Sequence, residues 1–379
     1  MRFPSEKIQS GIVMRSCEKF AERGIGVELW IPRRLNEKFE YSDLFSWYRV
    51  KKNFVIRKLP AIDLVPLVRG GLGFLILTFT FNLSVLFYAL ARGLLKRALF
   101  YTHGPAGVII LAVFRPRLFM EIHELNRRFK RDNFFIKWIF SRVSLFLATN
   151  QFKTDFLHKE FGIPYQRLLR QQNAVDVGMF AIDLDREDVR KKLDLPQDKT
   201  IILYAGQLTD WKGVDIFFEA SKLLARNEVI YVAGGTDEDI GNYKRKAQSV
   251  KCEDKLAIVG RKPHEEVPLW LRAADVLVLP HTAKFDIAKF DASPVKLFEY
   301  MASGRPVVVS DLPSMREIVD ESMVWFFEPD NPQSLADAMH RALLQKKEAG
   351  LKINKAREEV GRYSWDRWAD NVVAFINNQ

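Results

Sequence analysis

Cysteine is almost missing: Cys17 and Cys252 are the only two in 379 residues. A disulfide scaffold is thereby excluded, and the two thiols suit a reducing compartment. The N-terminal MRFPSEKIQSG has no apolar core and so no visible secretory signal. No Gly-x-Gly-x-x-Gly follows a strand-like run, and no Gly-Lys dipeptide occurs, which leaves a dinucleotide site and a Walker A loop unsupported. Two stretches approach a zinc helix, His123-Glu124-Leu125-Asn126-Arg127 and His264-Glu265-Glu266-Val267-Pro268. Both lack the second histidine, and the latter also contains a proline. There is no Gly-x-Ser-x-Gly elbow and no Cys-x-x-Cys pair. Asp183-Leu184-Asp185 and Asp237-Glu238-Asp239 have the spacing of a metal motif but fall in polar stretches, and they read as solvated loops. Without zinc-finger spacing or an RNP-like motif, no nucleic-acid partner is expected.

What is present is a large apolar fraction, 48%, enough for two domains in a 44.0 kDa chain. Charge is uneven. Residues 1–180 hold 29 Lys and Arg against 14 Asp and Glu, while the remainder holds 29 against 33. A basic half joined to a mildly acidic one points to an anionic partner surface, by charge alone either nucleic acid or a membrane with acidic lipids.

The second half has the cleaner rhythm. Apolar runs recur at Ile201–Ala205, Val229–Ala233, Leu256–Val259, Val276–Leu279, Val307–Val309 and Val324–Phe327. Most are continuous rather than alternating, the mark of strands buried on both faces. Helical stretches lie between several of them, at Val214–Ala225, Ile240–Val250, Val267–Ala274 and Pro294–Ser303. This alternation predicts an α/β open parallel sheet with helices on both sides. In the first half, Gly11–Arg23 reads as a helix stopped by Gly24, and Val27–Ile31, Leu118–Ile122 and Leu145–Thr149 read as strands, the first two expected to share a sheet. The turn-rich Gln172–Phe180 would join the halves, and Leu335–Leu344 and Trp365–Ile376 read as closing helices.

Residues 70–91, GGLGFLILTFTFNLSVLFYALA, carry no charge. As a helix this segment would be about 33 Å long, enough to cross a bilayer core of about 30 Å. A single span would put Val27–Ile31 and Leu118–Ile122 on opposite sides of a membrane. Arg69 at one end and Arg92, Lys96 and Arg97 at the other give no orientation by the positive-inside rule. The preferred reading is a helix partly buried in its domain and partly dipping into the membrane interface, with 92–97 and 127–131 as basic flanks for anionic lipid.

Chemistry concentrates in two segments. In DASPVKLFEYMASGRPVVVSD, residues 291–311, Ser293 and Pro294 read as N-cap and first helical residue, and Gly304 closes the helix. The helix start offers free N–H groups to an anion. Asp291 lies just before it and Glu299 inside it, an arrangement suited to a ligand with both phosphate and hydroxyls. In YAGQLTDWKG, residues 204–213, an apolar strand ends at Gly206, and Lys212 falls where the next helix is expected to start, placed to meet a phosphate.

Together these segments resemble the retaining family-4 glycosyltransferases of the GT-B fold. The resemblance runs through YAGQLTDWKGVDIFFEA, VGRKPHEEVPLWLRAADVLVLP, SPVKLFEYMASGRPVVVSDLPSMREIV and the closing YSW. In the first half it takes in PSEKIQSGIVMRSCEKFAERGIGVELWIP, EIHEL and NAVDVGMF. It implies two Rossmann-like domains with parallel sheets facing across a cleft: residues 1–175 on the acceptor side, 176–354 binding the nucleotide sugar, and 355–379 as a helix crossing back. The family's Glu-x7-Glu motif falls on Asp291, by the donor sugar and phosphate, and Glu299, on the ribose hydroxyls. By the same resemblance, Ser293, Pro294, Val295 and Lys296 meet the diphosphate, Lys212 is the phosphate-binding lysine and His123 reaches the donor sugar. Gly206 and Gln207 line the donor loop, Gly11 lies in a loop before a helix where backbone approaches phosphate or acceptor, and Arg261 lies near the base.

Three departures stand out. Gln207 replaces the usual arginine of the phosphate pair, and a neutral amide cannot act as a bidentate guanidinium. Asp291 is one methylene shorter than glutamate. The family also has a β-strand before the position of PSEK, so the native start is expected upstream of Met1. The implied reaction is anomer-retaining transfer from a nucleotide-diphosphate sugar, the leaving phosphate taking the acceptor's proton, with no metal and no other cofactor. The implied acceptor is a lipid-linked glycan in surface-polysaccharide or lipopolysaccharide assembly, at the cytoplasmic face of the membrane. The alternative is a non-catalytic, membrane-associated partner subunit of glycosyltransferase form.

Overall fold

The computed structural model describes residues 3–5, 8–34, 43–68, 71–123, 125 and 133–379. Arg69, Gly70, Glu124 and the basic positions at 127–131 singled out above lie outside the described residues. The chain forms two compact units: Met1–Gln172 with Trp365–Gln379, and Asn173–Ser364.

The first unit opens with α1 (Ile8–Ala21). Gly11 therefore lies inside a helix rather than in a loop before one. A glycine weakens a helix by about 1 kcal/mol but does not end it, and a β-carbon at Gly11 would touch nothing. Gly24, at φ +77°, turns the chain towards β1 (Glu28–Pro32). That strand pairs in parallel with β2 (Val55–Leu59) alone. After α2 (Gly71–Ala91), a second sheet of four parallel strands runs in chain order: β3 (Leu99–Thr102), β4 (Arg117–Ile122), β5 (Leu145–Ala148) and β6 (Leu168–Arg170).

So β1 and β4 do not share the one sheet that the sequence suggests. Side chains bridge the two sheets where a ladder would otherwise run: the Trp30 ring meets Phe100 at 5.7 Å and Tyr88 at 5.0 Å, edge-on in both cases. Strands β4 and β5 are buried on both faces, as continuous apolar runs require.

Helix α2 docks along one face only. Leu77, Val85, Leu86 and Ala89 are buried, and the last three join Leu59, Leu118 and Met120 in the core. Asn82 donates from Nδ2 to the Ala106 carbonyl at 2.9 Å, and a β-carbon on Gly73 would lie 3.0 Å from the Leu64 backbone. On the other face Leu72, Phe74, Leu75, Phe79, Phe87 and Leu90 are exposed. By length and composition this is a helix that could cross a membrane; here it lies with part of its surface in the unit's core.

The second unit holds β7 (Thr200–Ala205), β8 (Glu228–Ala233), β9 (Leu256–Gly260), β10 (Val276–Leu279), β11 (Val307–Ser310) and β12 (Trp325–Phe327). Their order, β12-β11-β10-β7-β8-β9, is that of a doubly wound sheet, and every pair is parallel. Among its helices are α3 (Val295–Ala302) and α4 (Lys346–Val360). Buried Ala356 and Val360 put α4 in this unit's core, so the change of unit comes at 364–365, later than the sequence placed it. Helix α5 (Trp365–Asn377) belongs to the first unit. Its Trp368 is buried against Phe20 of α1, ring centroids 5.4 Å apart, and Asp366 and Asp370 pair with Lys19 and Arg23.

Candidate functional site

In a doubly wound sheet the strand order reverses at one point, and the crevice beyond the carboxyl ends there is the natural ligand site. Here the reversal lies between β7 and β10. The loops after both strands are locked together by glycine. Gly213 has φ +67°, and a β-carbon on it would sit 2.0 Å from the Pro280 carbonyl oxygen. A side chain is likewise barred from Gly206, where it would lie 2.6 Å from the Tyr204 hydroxyl. That hydroxyl donates to the Gln207 carbonyl at 2.6 Å, fixing the start of the loop, while the Gln207 side chain is exposed.

Lys212 closes a single helical turn, Asp210–Lys212. The sequence placed it at a helix start, but the left-handed Gly213 ends the turn and the next helix begins only at Ile216. Its ammonium lies over the Trp211 ring, 3.8 Å from the centroid, and 3.3 Å from His281 Nε2. No carboxylate pairs with it among the described residues. Burial, helped by the charge of Lys296, pulls the Lys212 pKa down to about 7. Burial, then Lys212, pushes His281 well below the usual histidine range, so its ring is neutral. His281 is 1% exposed, and its Nδ1 has no hydrogen-bond partner among the described residues.

Helix α3 supplies the other wall. Glu299 is 2% exposed and accepts from Lys296 Nζ at 2.7 Å, one turn earlier. Asp291 is buried at the end of the short helical turn before α3. Ser293 is not the N-cap. Pro294 takes that position with extended backbone and no side-chain cap, and the Ser293 hydroxyl accepts the Asn173 backbone N–H at 3.2 Å instead. Asn173 Nδ2 also donates to the Ser293 carbonyl at 2.9 Å. The Ser293 hydroxyl is thus engaged by Asn173, and the N-cap residue makes no side-chain hydrogen bond to the helix start. Gly304, at φ +71°, does end the helix as expected. Arg261 is exposed in the loop after β9, and no hydrogen bond or ion pair ties it to these groups among the described residues.

The first unit has a polar cluster of its own. Tyr101 and His103, at the end of β3, face Glu121 and His123, at the end of β4. The Tyr101 hydroxyl donates to Glu121. His123 Nε2 lies 2.9 Å from His103 Nδ1 and 3.1 Å from a Glu121 oxygen, and the other Glu121 oxygen is 3.6 Å from His103 Nδ1. Burial would raise the Glu121 carboxyl, but His123 and His103 overcome it and hold the group down at about 2. Burial brings His103 down to about 4. These three side chains could hold a metal ion.

Of the residues singled out from the sequence, Lys212 lies in the loop after β7, and Asp291, Lys296 and Glu299 lie at or in α3 and the turn before it, while His103 and His281 were left without a role. Each of the two follows a strand directly, or within two residues, and that was the only available signal.

Residues 185–361 match the family model described as glycosyl transferases group 1. An uncharacterized glycosyltransferase of Methanocaldococcus jannaschii is 26% identical over 220 residues, 56% of this chain and 54% of the relative. The putative colanic acid biosynthesis glycosyltransferase WcaL of Escherichia coli is 26% identical over 275 residues, 68% of this chain and 64% of that one. The amylovoran biosynthesis glycosyltransferase AmsK of Erwinia amylovora is 27% identical over 196 residues, 49% and 48% of the two chains. The chain thus spans 48–64% of the length of these three relatives. Among solved structures, Anabaena HepE in complex with UDP and glucose superposes with a TM-score of 0.74 at 14% identity, covering 99% of this chain and 98% of that one. WaaG, a glycosyltransferase of lipopolysaccharide biosynthesis, gives 0.68 at 15% identity, covering 98% and 96%. The match to the group 1 glycosyltransferases thus covers residues 185–361, and the chain has the GT-B fold.

Proposed function

We propose that the chain moves a sugar, with retention of anomeric configuration, from a nucleotide-diphosphate donor to a lipid-linked glycan in surface-polysaccharide or lipopolysaccharide assembly. One observation carries this reading: a partly buried lysine, with no carboxylate partner among the described residues, sits at the strand-order reversal of a domain that matches the group 1 glycosyltransferases. Breaking the bond from sugar C1 to the diphosphate builds negative charge on the leaving oxygen. Lys212, Lys296 and the uncapped start of α3 supply positive charge for it in a low-dielectric setting, so departure is written without a metal ion at the phosphates. Glu299, held by Lys296, is offered to the ribose hydroxyls, and Asp291 to the donor sugar. Names among the relatives support the class of product, with colanic acid and amylovoran as examples.

The first unit is the acceptor side in this reading. The apolar face of α2, with Arg92, Lys96 and Arg97 after it, suits an acceptor in an anionic membrane, and the enzyme is proposed to work at the cytoplasmic face. The test is a thermal-shift screen of the full chain against UDP, GDP and ADP and their sugars, followed by transfer of labelled sugar to a lipid extract. Stabilisation by one nucleotide, lost in Glu299→Ala, is expected. Folded protein that responds to none of them would leave the non-catalytic partner subunit as the better reading, with Gln207 as its rationale.

A further inference from the structure

We propose that His103, Glu121 and His123 form a binding site for one divalent first-row transition metal at the carboxyl ends of β3 and β4. The proposal goes beyond sugar transfer and does not depend on it.

Register brings the groups together. Thr102 pairs with Met120, so His103 stands opposite Glu121 across the parallel ladder, and His123 follows two residues later on the same face. The atoms that converge are all lone-pair donors. His103 Nδ1 and His123 Nε2 are 2.9 Å apart, each faces its own Glu121 oxygen at 3.6 and 3.1 Å, and one donor atom from each residue lies within 4.8 Å of the other two. This spacing closes on the ~3.3 Å between ligands of a tetrahedral ion with only small side-chain movement.

Protons alone serve this geometry poorly. If His103 Nδ1 carries the proton, it donates to His123 Nε2, whose lone pair is then committed while a carboxylate oxygen faces it 3.1 Å away. If His123 Nε2 carries it, one N–H is shared between two acceptors. If both carry protons, two N–H groups meet at 2.9 Å. A central cation satisfies all three groups at once. Glu121 adds to the demand, because it is 2% exposed and pairs with no lysine or arginine among the described residues. A buried carboxylate needs a positive partner.

The surroundings fit a metal as well. The Tyr101 hydroxyl donates to Glu121 and orients it, as outer-shell groups do for metal carboxylates. The His103 and His123 side chains keep 11% and 14% of their surface open, leaving room for a fourth, oxygen ligand such as water or a hydroxyl or phosphate oxygen. Two imidazoles with one carboxylate suit zinc, cobalt or iron and disfavour magnesium and calcium, which take oxygen ligands.

The experiment uses the full chain freed of metal with a chelator, then titrated with zinc chloride, with bound metal counted after equilibrium dialysis. One zinc per chain is expected, displaced by cobalt(II) and not by magnesium. His103→Gln and Glu121→Gln should abolish binding, and Tyr101→Phe should weaken it by about 10-fold. Equal zinc uptake by wild type and a folded His103→Gln protein would overturn the proposal. A second readout needs no variant: cobalt(II) added to wild type should give the visible absorption of a tetrahedral site, and a spectrum of hexaaqua cobalt alone would overturn the proposal too. Neither readout depends on sugar transfer, so an inactive chain that binds zinc and an active chain that does not are both interpretable.

Discussion

The two units place polar clusters of different composition in equivalent positions, past the carboxyl ends of parallel strands. In the second unit Lys296 pairs with Glu299, Lys212 has no carboxylate partner among the described residues, and the neighbouring His281 is neutral, so positive charge is in excess. In the first unit the buried carboxylate of Glu121 faces two imidazoles and a phenol, and no lysine or arginine pairs with it among the described residues. A charge in low dielectric is costly unless it is compensated. On the two proposals above, one cluster takes an anion and the other a cation. The same strand-end geometry serves both, and only the side chains decide the sign of the guest.

The largest effect should come from removing the excess positive charge. Lys212→Ala should lower the transfer rate by roughly 10²–10³-fold, as loss of a preorganised charge does, measured with the nucleotide sugar found in the thermal screen. A rate within tenfold of wild type would mean that the second cluster is not matched to an anion.

The units also differ at their surfaces, and α2 allows the difference to be tested within one helix. Leu86 is buried and Phe87 is 65% exposed. Leu86→Ala should cost about 3 kcal/mol of stability, whereas Phe87→Ala should change it by less than about 0.5 kcal/mol and yet weaken sedimentation with phosphatidylglycerol vesicles. If vesicle binding falls only in the destabilised variant, the exposed face is not a membrane contact.

Acidity sharpens the contrast further. The Lys212 pKa is about 7 in the folded chain against an ordinary 10.5. Between these values the unfolded chain holds more protons, so in the absence of ligand stability should rise with pH across that window relative to Lys212→Met. Anion binding needs the ammonium, so affinity for the nucleoside diphosphate should fall above pH about 7, by up to about tenfold per unit. Calorimetry at pH 8 in two buffers of different ionisation enthalpy should show proton uptake on binding. The smallest effect is expected at the exposed pair of Arg23 with Asp370, where Asp370→Ala should cost no more than about 0.5 kcal/mol in chemical denaturation.

Legibility followed burial and length. All six strands of the second unit were readable, because strands covered on both faces are continuous apolar runs. In the first unit β2 was missed because VIRKL carries Arg57 and Lys58 and Val55 is exposed. Strands β3 and β6 have four and three residues, too few to show a period. Of the site, Lys212, Lys296, Asp291 and Glu299 were legible because helix and strand ends carry local signals. The cap was misread because Ser293 is engaged by Asn173, far away in sequence, and no local rule anticipates that partner.

By itself the sequence determined the alternation of strands and helices, the doubly wound second unit, the apolar character of residues 71–91 and the resemblance to a family. These depend on residues within a few positions of one another, where propensity and periodicity act. Only the tertiary structure decided that β1 and β4 lie in separate sheets, that α5 packs on α1, and that His281 stands over Lys212. It also set His103 beside His123: the near-miss zinc motif at 123–127 has no second histidine, whereas His103 comes from the end of the neighbouring strand. Parallel pairing sets side by side residues that are distant in the chain, and their chemistry is invisible until the register is known.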